Sequence, residues 1–196
     1  MSARTLTLAD VAAPRAGVFS NTMLVVVASV VTALAAQLSI PVPWSPVPIT
    51  GQTFAVVLSG AVLGARRGLI AQALYLAEGA IGLPVFAEGR AGIAVLIGPT
   101  AGYLFAFPVA AWVAGALAER GWDRRFETML GAMLIATAVI FAAGLAWLAR
   151  FVPAGRVFAA GLVPFIPGDI LKSTLAALAF PAAWRWTRSQ GMPPDA

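Results

Sequence analysis

The sequence contains no cysteine and no histidine, and few of its residues carry a charge. Without cysteine there are no disulfide bridges or thiol nucleophiles, and without histidine the commonest zinc ligands are also absent. No pair of carboxylates and no nucleophile beside a base can be recognised in the sequence. We therefore predict that the protein is not an enzyme, and that it has no catalytic residue, no metal site and no cofactor.

Most residues of the chain are apolar. Apolar residues make up 60% of the 196 residues, and charged residues only 11%, against about 45–50% and about 25% in soluble domains. A small soluble domain cannot bury so large an apolar fraction. The net charge is +5, but the basic residues form no patch with interleaved aromatics, so nucleic acid is not an expected partner. The composition predicts an all-α protein in the lipid bilayer.

Apolar stretches of about 20 residues are typical of transmembrane helices. Six spans are predicted, with five or seven as alternatives: 21–40, 50–64, 68–82, 99–118, 128–149 and 161–184. The second and third are divided only by Ala65-Arg66-Arg67-Gly68. The chain then forms a single membrane domain, 1–196, with a cytoplasmic segment 1–20, a six-helix core 21–184 and a cytoplasmic tail 185–196.

The arginines predict the orientation of these spans, because cytoplasmic loops are enriched in basic residues. With the N-terminus inside, three arginines face outward: Arg90, Arg150 and Arg156. The other nine face the cytoplasm: Arg4, Arg15, Arg66, Arg67, Arg120, Arg124, Arg125, Arg185 and Arg188. Both chain ends are thus predicted to be cytoplasmic, in a multi-pass protein of the cell's inner (plasma) membrane.

An acidic and a basic residue stand together at the start of the sixth span. Asp169 and Lys172, the only lysine of the chain, are three residues apart and share one helical face. The pair either neutralises itself near the membrane interface or lines a polar cavity that binds a ligand, and intramembrane ionisable residues favour the second interpretation. At the start of the fourth span, Gly98 would let a ligand approach the backbone. On the predicted topology the second, fourth and sixth spans begin at the outer face, and the N-termini of their helices favour an anionic group there.

The first span carries small residues at helical spacing, Ala28, Thr32 and Ala36. Such a stripe allows another helix to pack closely. The partner is either a helix of the same chain or a separate membrane subunit. The sequence has no Gly-x-x-x-x-Gly-Lys-Ser/Thr motif, so any ATP hydrolysis must occur in other subunits.

Four segments in order resemble the BioY family, the biotin-specific S components of energy-coupling-factor transporters. They read PITGQTF at 48–54, GAIGLPVF at 79–86, GPTAGYL at 98–104 and PGDILK at 167–172. The resemblance extends from about residue 21 to 184. Gly51 and Ala101 stand where leucine and a second glycine are expected, which affects local packing more than substrate identity.

The resemblance implies a six-helix protein that captures biotin with high affinity at the outer face. Its implied partners are biotin, a transmembrane coupling (T) subunit and two ATP-binding (A) subunits, with ATP used only by the partners. The stripe of Ala28, Thr32 and Ala36 corresponds to the docking surface of the family. Asp169 and Lys172 correspond to the family's aspartate and lysine at the start of the last helix.

From the chemistry of biotin, Asp169 would accept from a ureido N–H and Lys172 would donate to the ureido carbonyl. Tyr103 and Trp44, the latter in the proline-rich loop 41–48, would pack against the bicyclic ring. The carboxylate would face Arg90 or loop amides, although Arg90 is equally well a solvated loop charge. Gln52 would either hydrogen-bond the ligand or cap a helix.

Other functions stay open on the sequence alone. The nearest is an S component for another vitamin, such as thiamine or riboflavin. The second alternative is a stand-alone vitamin carrier or channel, because no sequence motif distinguishes a carrier that works without a coupling module. A membrane enzyme is a third, and the lack of a catalytic constellation disfavours it.

Overall fold

The computed structural model describes residues 5–12 and 17–189, most of which are helical. Arg4, Arg15 and residues 190–196 of the predicted cytoplasmic segments lie outside this range. The helices are α1 (Leu8–Ala12), α2 (Val18–Gln37), α3 (Gln52–Leu63), α4 (Ala65–Ala80), α5 (Ile93–Leu96), α6 (Ala101–Ala118), α7 (Phe126–Leu148), α8 (Val157–Gly161) and α9 (Ile166–Ser189). Short 3₁₀ turns lie at Ala87–Gly89, Trp122–Arg124 and Ala154–Arg156.

The six longer helices, α2, α3, α4, α6, α7 and α9, match the six predicted apolar spans to within a few residues. Four stretches of the described chain are long and apolar enough to cross a membrane: Val18–Gln37, Ala101–Ala118, Phe126–Leu148 and Ala154–Ser189. The last stretch includes both α8 and α9. α3 is apolar but shorter. Length and composition alone therefore support four crossings.

The boundary between α3 and α4 is a glycine. Gly64 has φ 86° and ψ 170°, a conformation that residues with a Cβ rarely adopt. The Glu119 carboxylate accepts the backbone N–H of Ala65 at 2.8 Å and so satisfies a donor at the start of α4. As a result α4 begins at Ala65 rather than at residue 68, and Arg66 and Arg67 lie in its first turn.

Three central helices cross with no side chain between their backbones. A Cβ on Gly60 of α3 would lie 2.1 Å from the carbonyl oxygen of Ala111 in α6. A Cβ on Gly68 of α4 would lie 2.8 Å from Gly60 Cα, and one on Gly115 of α6 would lie 2.3 Å from the nitrogen of Ala65. Close approach at small residues is typical of helix packing in membranes. These contacts join α3, α4 and α6.

α2 packs against α4 through the stripe of Ala28, Thr32 and Ala36, which are all buried. The hydroxyl of Thr32 accepts from the Gln72 side-chain amide of α4 at 3.0 Å. In this conformation the stripe therefore contacts a helix of the same chain. Docking of a second subunit on these three residues stays a prediction, and it would require α2 to separate from α4.

The loop between α2 and α3 is closed by two short antiparallel strands. β1 (Ser39–Ile40) pairs with β2 (Ile49–Thr50), with Ser39 opposite Thr50. The Ser45 hydroxyl donates to the carbonyl oxygen of Ala160 in α8 at 2.7 Å. The proline-rich loop 41–48 is thus held against α8, near the starts of α3 and α9.

The opposite end of the bundle buries a carboxylate. Asp123, in the turn between α6 and α7, is fully buried, and its Oδ2 accepts from Trp184 Nε1 at 2.6 Å. The Arg124 guanidinium lies 4.5 Å from the centre of the Trp184 ring. Burial raises the pKa of Asp123 to about 6, although the Trp184 hydrogen bond and the Arg124 charge oppose the shift.

This raised pKa predicts that the protein is more stable in mild acid. In the folded state Asp123 takes up its proton near pH 6, whereas its unfolded value is about 3.9. The folded state therefore binds more protons between these values, and its stability falls as the pH rises from about 4 to 6, by on the order of 2–3 kcal/mol. The thermal midpoint in detergent should rise when the pH is lowered from 7.5 to 5.

The Asp123→Asn variant is the control, because it retains an acceptor for Trp184 but does not titrate. Other carboxylates contribute equally to both proteins, so the difference between their pH profiles isolates Asp123. Parallel profiles for the wild type and the variant would contradict the assignment.

Candidate ligand-binding site

A cavity opens at the end of the bundle where α3, α6 and α9 begin. The empty space between its lining atoms is about 560 Å³, and this figure includes the space at the open mouth. Aromatic side chains form much of its wall: Phe86, Tyr103, Phe107, Phe141 and Phe165. Polar groups reach it from Thr50, Gln52, Thr53, Arg90 and Thr100. An apolar ligand with a few polar groups fits such a wall.

Asp169 and Lys172 lie at the margin of this cavity, behind two of the threonines that line it. Asp169 Oδ1 accepts from the hydroxyl of Thr53 at 3.2 Å. Lys172 Nζ donates to the carbonyl oxygen of Thr50 at 3.0 Å and lies 3.5 Å from Asp169 Oδ1. The two side chains are therefore in contact, and their joint role in ligand binding stays a prediction.

One oxygen of this pair has no partner. Asp169 is 7% exposed, and its Oδ2 is buried without a hydrogen-bond donor among the described residues. A buried acceptor left unpaired costs about 1–3 kcal/mol. A ligand that supplies an N–H at this position would remove that cost.

Gln52 lines the cavity at the start of α3, and both ends of its amide are held. Its Nε2 donates to the hydroxyl of Tyr75 in α4 at 2.5 Å, and its Oε1 accepts from Thr50 Oγ1 at 3.1 Å. The Tyr75 hydroxyl in turn donates to the carbonyl oxygen of Val85 at 3.0 Å. The orientation of Gln52 toward the cavity is thus set by α4 and by the loop between α4 and α5.

Tyr103 belongs to the aromatic wall, and its hydroxyl donates to the carbonyl oxygen of Gly161 at 2.8 Å. Its ring meets Phe141 edge-on, with 6.2 Å between the ring centres. Gly98 is not part of the wall. Its carbonyl oxygen accepts from Trp147 Nε1 at 2.9 Å, so it fixes the turn that precedes α6.

Arg90 lines the cavity but is largely exposed, as expected for a residue at the mouth. Its Nε donates to the carbonyl oxygen of Ala87 at 3.2 Å and lies 3.6 Å from the Glu88 carboxylate. Trp44 is 67% exposed and is not among the lining residues. Ring contact by Trp44 would therefore require loop 41–48 to move inward.

The structure thus brings Gln52, Arg90 and Tyr103 around one cavity and places Asp169 and Lys172 at its margin. Sequence reasoning missed several residues of the site: Thr53, Tyr75, Phe86, Phe107, Phe141 and Phe165. A signal was available for Tyr75, because a tyrosine within an apolar span needs a hydrogen-bond partner. The phenylalanines gave no such signal, because apolar residues occur throughout every span.

An apolar helical bundle with an aromatic cavity at one end and a partly buried acid–base pair beside it defines a polytopic membrane protein that binds a small ligand. The sequence matches the BioY family over residues 6–189. The chain therefore belongs to the BioY family, as the four sequence segments had predicted.

Two relatives illustrate the similarity. The chain is 42% identical to the probable biotin transporter BioY of Pyrococcus horikoshii, over 75% of this chain and 85% of that protein. It is 40% identical to the biotin transporter BioY of Rhizobium etli, over 77% of this chain and 85% of that protein.

A solved structure has the same fold. The crystal structure of the S-component for biotin from an ECF-type ABC transporter superposes with a TM-score of 0.73 at 24% identity. The match covers 90% of this chain and 94% of the other. This similarity confirms the prediction of a helical fold of the S-component type.

Proposed function

We propose that this chain is a high-affinity biotin-binding membrane subunit that mediates biotin uptake with an ATP-driven coupling module. The main support is the unpartnered buried oxygen of Asp169, beside Lys172 and at the margin of an aromatic cavity. Relatives named as biotin transporters, at about 40% identity over three quarters of the chain, support the same substrate. The chain is a transport protein rather than an enzyme.

The chemistry of biotin suits this arrangement. Its ureido group carries two N–H donors and one carbonyl acceptor, its sulfur-containing ring is apolar, and its valerate chain ends in a carboxylate. In the proposed pose the segment with Thr50 and Thr53, which separates the pair from the cavity, moves so that an N–H donates to Asp169 Oδ2 and Lys172 Nζ donates to the ureido carbonyl. The rings pack among the aromatic side chains, and the carboxylate points toward Arg90 at the mouth.

Biotin binding by the purified wild-type protein in detergent tests this function directly. We expect saturable binding of labelled biotin, with unlabelled biotin as competitor and with thiamine and riboflavin as the comparison ligands. Failure of a well-folded protein to bind biotin, or equal competition by thiamine or riboflavin, would contradict the proposal.

The proposed partners are a transmembrane coupling subunit and ATP-binding subunits, as the name of the structural neighbour suggests. Vesicles that contain this chain alone should bind labelled biotin without accumulating it, and vesicles with the complete module should accumulate it when ATP is supplied. Accumulation by the chain alone would indicate a stand-alone carrier instead.

The proposed topology has six crossings with both chain ends in the cytoplasm, in the inner (plasma) membrane. It places the cavity outside and the turn between α3 and α4 inside. Two observations support it: the arginine distribution, and the position of the α2 and α4 starts at the same end of the bundle, where Arg67 pairs with Asp10 and Asn21 lies in the same groove as Arg66.

Single introduced cysteines test this topology without background, because the chain has none of its own. In intact cells a membrane-impermeant maleimide should label Glu88→Cys on the outside. It should label Arg66→Cys and Arg125→Cys only after the membrane is opened, since all three positions are exposed. Labelling of both Arg66→Cys and Glu88→Cys in intact cells would exclude a crossing by α4.

A further inference from the structure

A tight turn in the loop between α4 and α5 forms part of the cavity wall. Phe86, Ala87 and Arg90 all line the cavity. The backbone N–H of Phe86 donates to the carbonyl oxygen of Arg90 at 3.1 Å and closes the turn. Between them, Glu88 has φ 61° and Gly89 has φ 68°. A left-handed glutamate is uncommon, and such strain persists only where surrounding contacts hold it.

The contacts that hold this turn come from the end of α2. The Nε2 of Gln37 donates to the carbonyl oxygen of Phe86 at 3.2 Å, and its Oε1 accepts from the backbone N–H of Gly89 at 3.1 Å. The same Nε2 also donates to Ala33 at 3.1 Å within α2. One amide group therefore spans the turn and ties it to the helix.

Gln37 acts on the cavity from outside it, because no residue of α2 lines the cavity. The other attachments of the loop flank the turn: the Tyr75 hydroxyl holds Val85, and Gly92 N–H donates to the carbonyl oxygen of Gly79 at 2.7 Å. Within the described part of the chain, Gln37 supplies the only side chain of another helix that hydrogen-bonds to the backbone of residues 86–90.

We propose that Gln37 is a positioning residue of the ligand site, which retains the bound ligand by fixing the 86–90 turn. The inference rests on the proposed function, in which the cavity holds biotin. Because Gln37 does not touch the ligand, its loss should speed dissociation through a loosened wall. Association, which depends on the open mouth and on the cavity itself, should change little.

The test compares Gln37→Ala and Gln37→Glu with the wild type. Glutamate keeps an acceptor for Gly89 but cannot donate to Phe86, so its effect should be intermediate. Leu34→Ala is the matched control, since Leu34 lies one turn earlier on α2 and is 65% exposed. Gln37→Ala should dissociate biotin roughly 5- to 30-fold faster, the factor expected for one or two hydrogen bonds. The thermal midpoint without ligand should fall by only a few degrees, because one or two hydrogen bonds contribute about 1–2 kcal/mol to the folded state.

Hydrogen exchange on the unliganded proteins supplies a second measurement that does not depend on biotin. The amides of residues 86–90 should exchange faster in Gln37→Ala than in the wild type or in Leu34→Ala. Wild-type exchange in Gln37→Ala would overturn the inference, and so would faster exchange with unchanged biotin dissociation. If the wild type fails to bind biotin, the proposed function fails, while the exchange rates still decide whether Gln37 holds the turn.

Discussion

Asp169→Asn is expected to weaken biotin binding by about 10- to 150-fold, the factor that corresponds to the loss of one charge-assisted hydrogen bond. The unpaired Oδ2 of Asp169 is the acceptor assigned to a ureido N–H, and a neutral amide accepts more weakly than a carboxylate. The Kd of labelled biotin for the purified variant in detergent measures the effect.

Lys172→Ala should have an effect at least as large, because it removes the donor to the ureido carbonyl and leaves Asp169 without its nearest cation. Leu171→Ala is the matched control, since Leu171 lies on the same turn of α9 and is 60% exposed. Binding of biotin with wild-type affinity by both site variants would exclude the proposed pose.

An analogue without the carboxylate separates the two ends of the ligand. Lys172→Ala should weaken the binding of biotin and of biotin methyl ester by similar factors, because Lys172 addresses the ureido group. A loss confined to biotin would instead assign Lys172 to the carboxylate and reverse the pose.

Gly60→Ala is expected to destabilise the helical bundle strongly. The added Cβ would lie 2.1 Å from the carbonyl oxygen of Ala111 and 2.8 Å from its Cα. These are backbone atoms of a packed helix, so α3 and α6 must separate. We expect a cost of about 3 kcal/mol or more, and a fall in the thermal midpoint on the order of 10 °C.

Gly155→Ala controls for the change in chain entropy, because a Cβ there would meet nothing within 4 Å. Its thermal midpoint should stay near the wild-type value. A Gly60→Ala protein that melts with the wild type would show that the helices at this crossing are not in backbone contact.

Much of the helical architecture could be predicted from the sequence, because each long helix contains a mostly apolar stretch and Arg66-Arg67 lies next to the break between α3 and α4. α5 and α8 could not, since helices of four or five residues depend on tertiary contacts rather than on periodicity. The same limit applies to the stripe of α2. Small residues at helical spacing indicate close packing but do not say which helix packs there.

Site residues could be predicted where a charged side chain stands in an apolar span. They could not be predicted where the residue type occurs throughout the chain. Asp169 and Lys172 stand out in an apolar span, so the sequence singles them out. Gln37 and Phe86 do not, because their roles depend on a contact across 49 residues of chain. Trp44 was expected near the ligand. It is exposed, and the hydrogen bond from Ser45 to α8 holds its loop in this position.

The shortness of α4 has a consequence for the surrounding lipid. Its exposed apolar strip extends from Leu69 to Ile81, about 18 Å along the helix axis, whereas the hydrocarbon core of a bilayer is about 30 Å thick. On the proposed topology the membrane must thin beside α4, or the exposed Arg66 must extend its side chain to the headgroups. Such mismatch costs fractions of a kcal/mol per Å. Lipids with shorter acyl chains therefore match this side of the protein best and should collect around it.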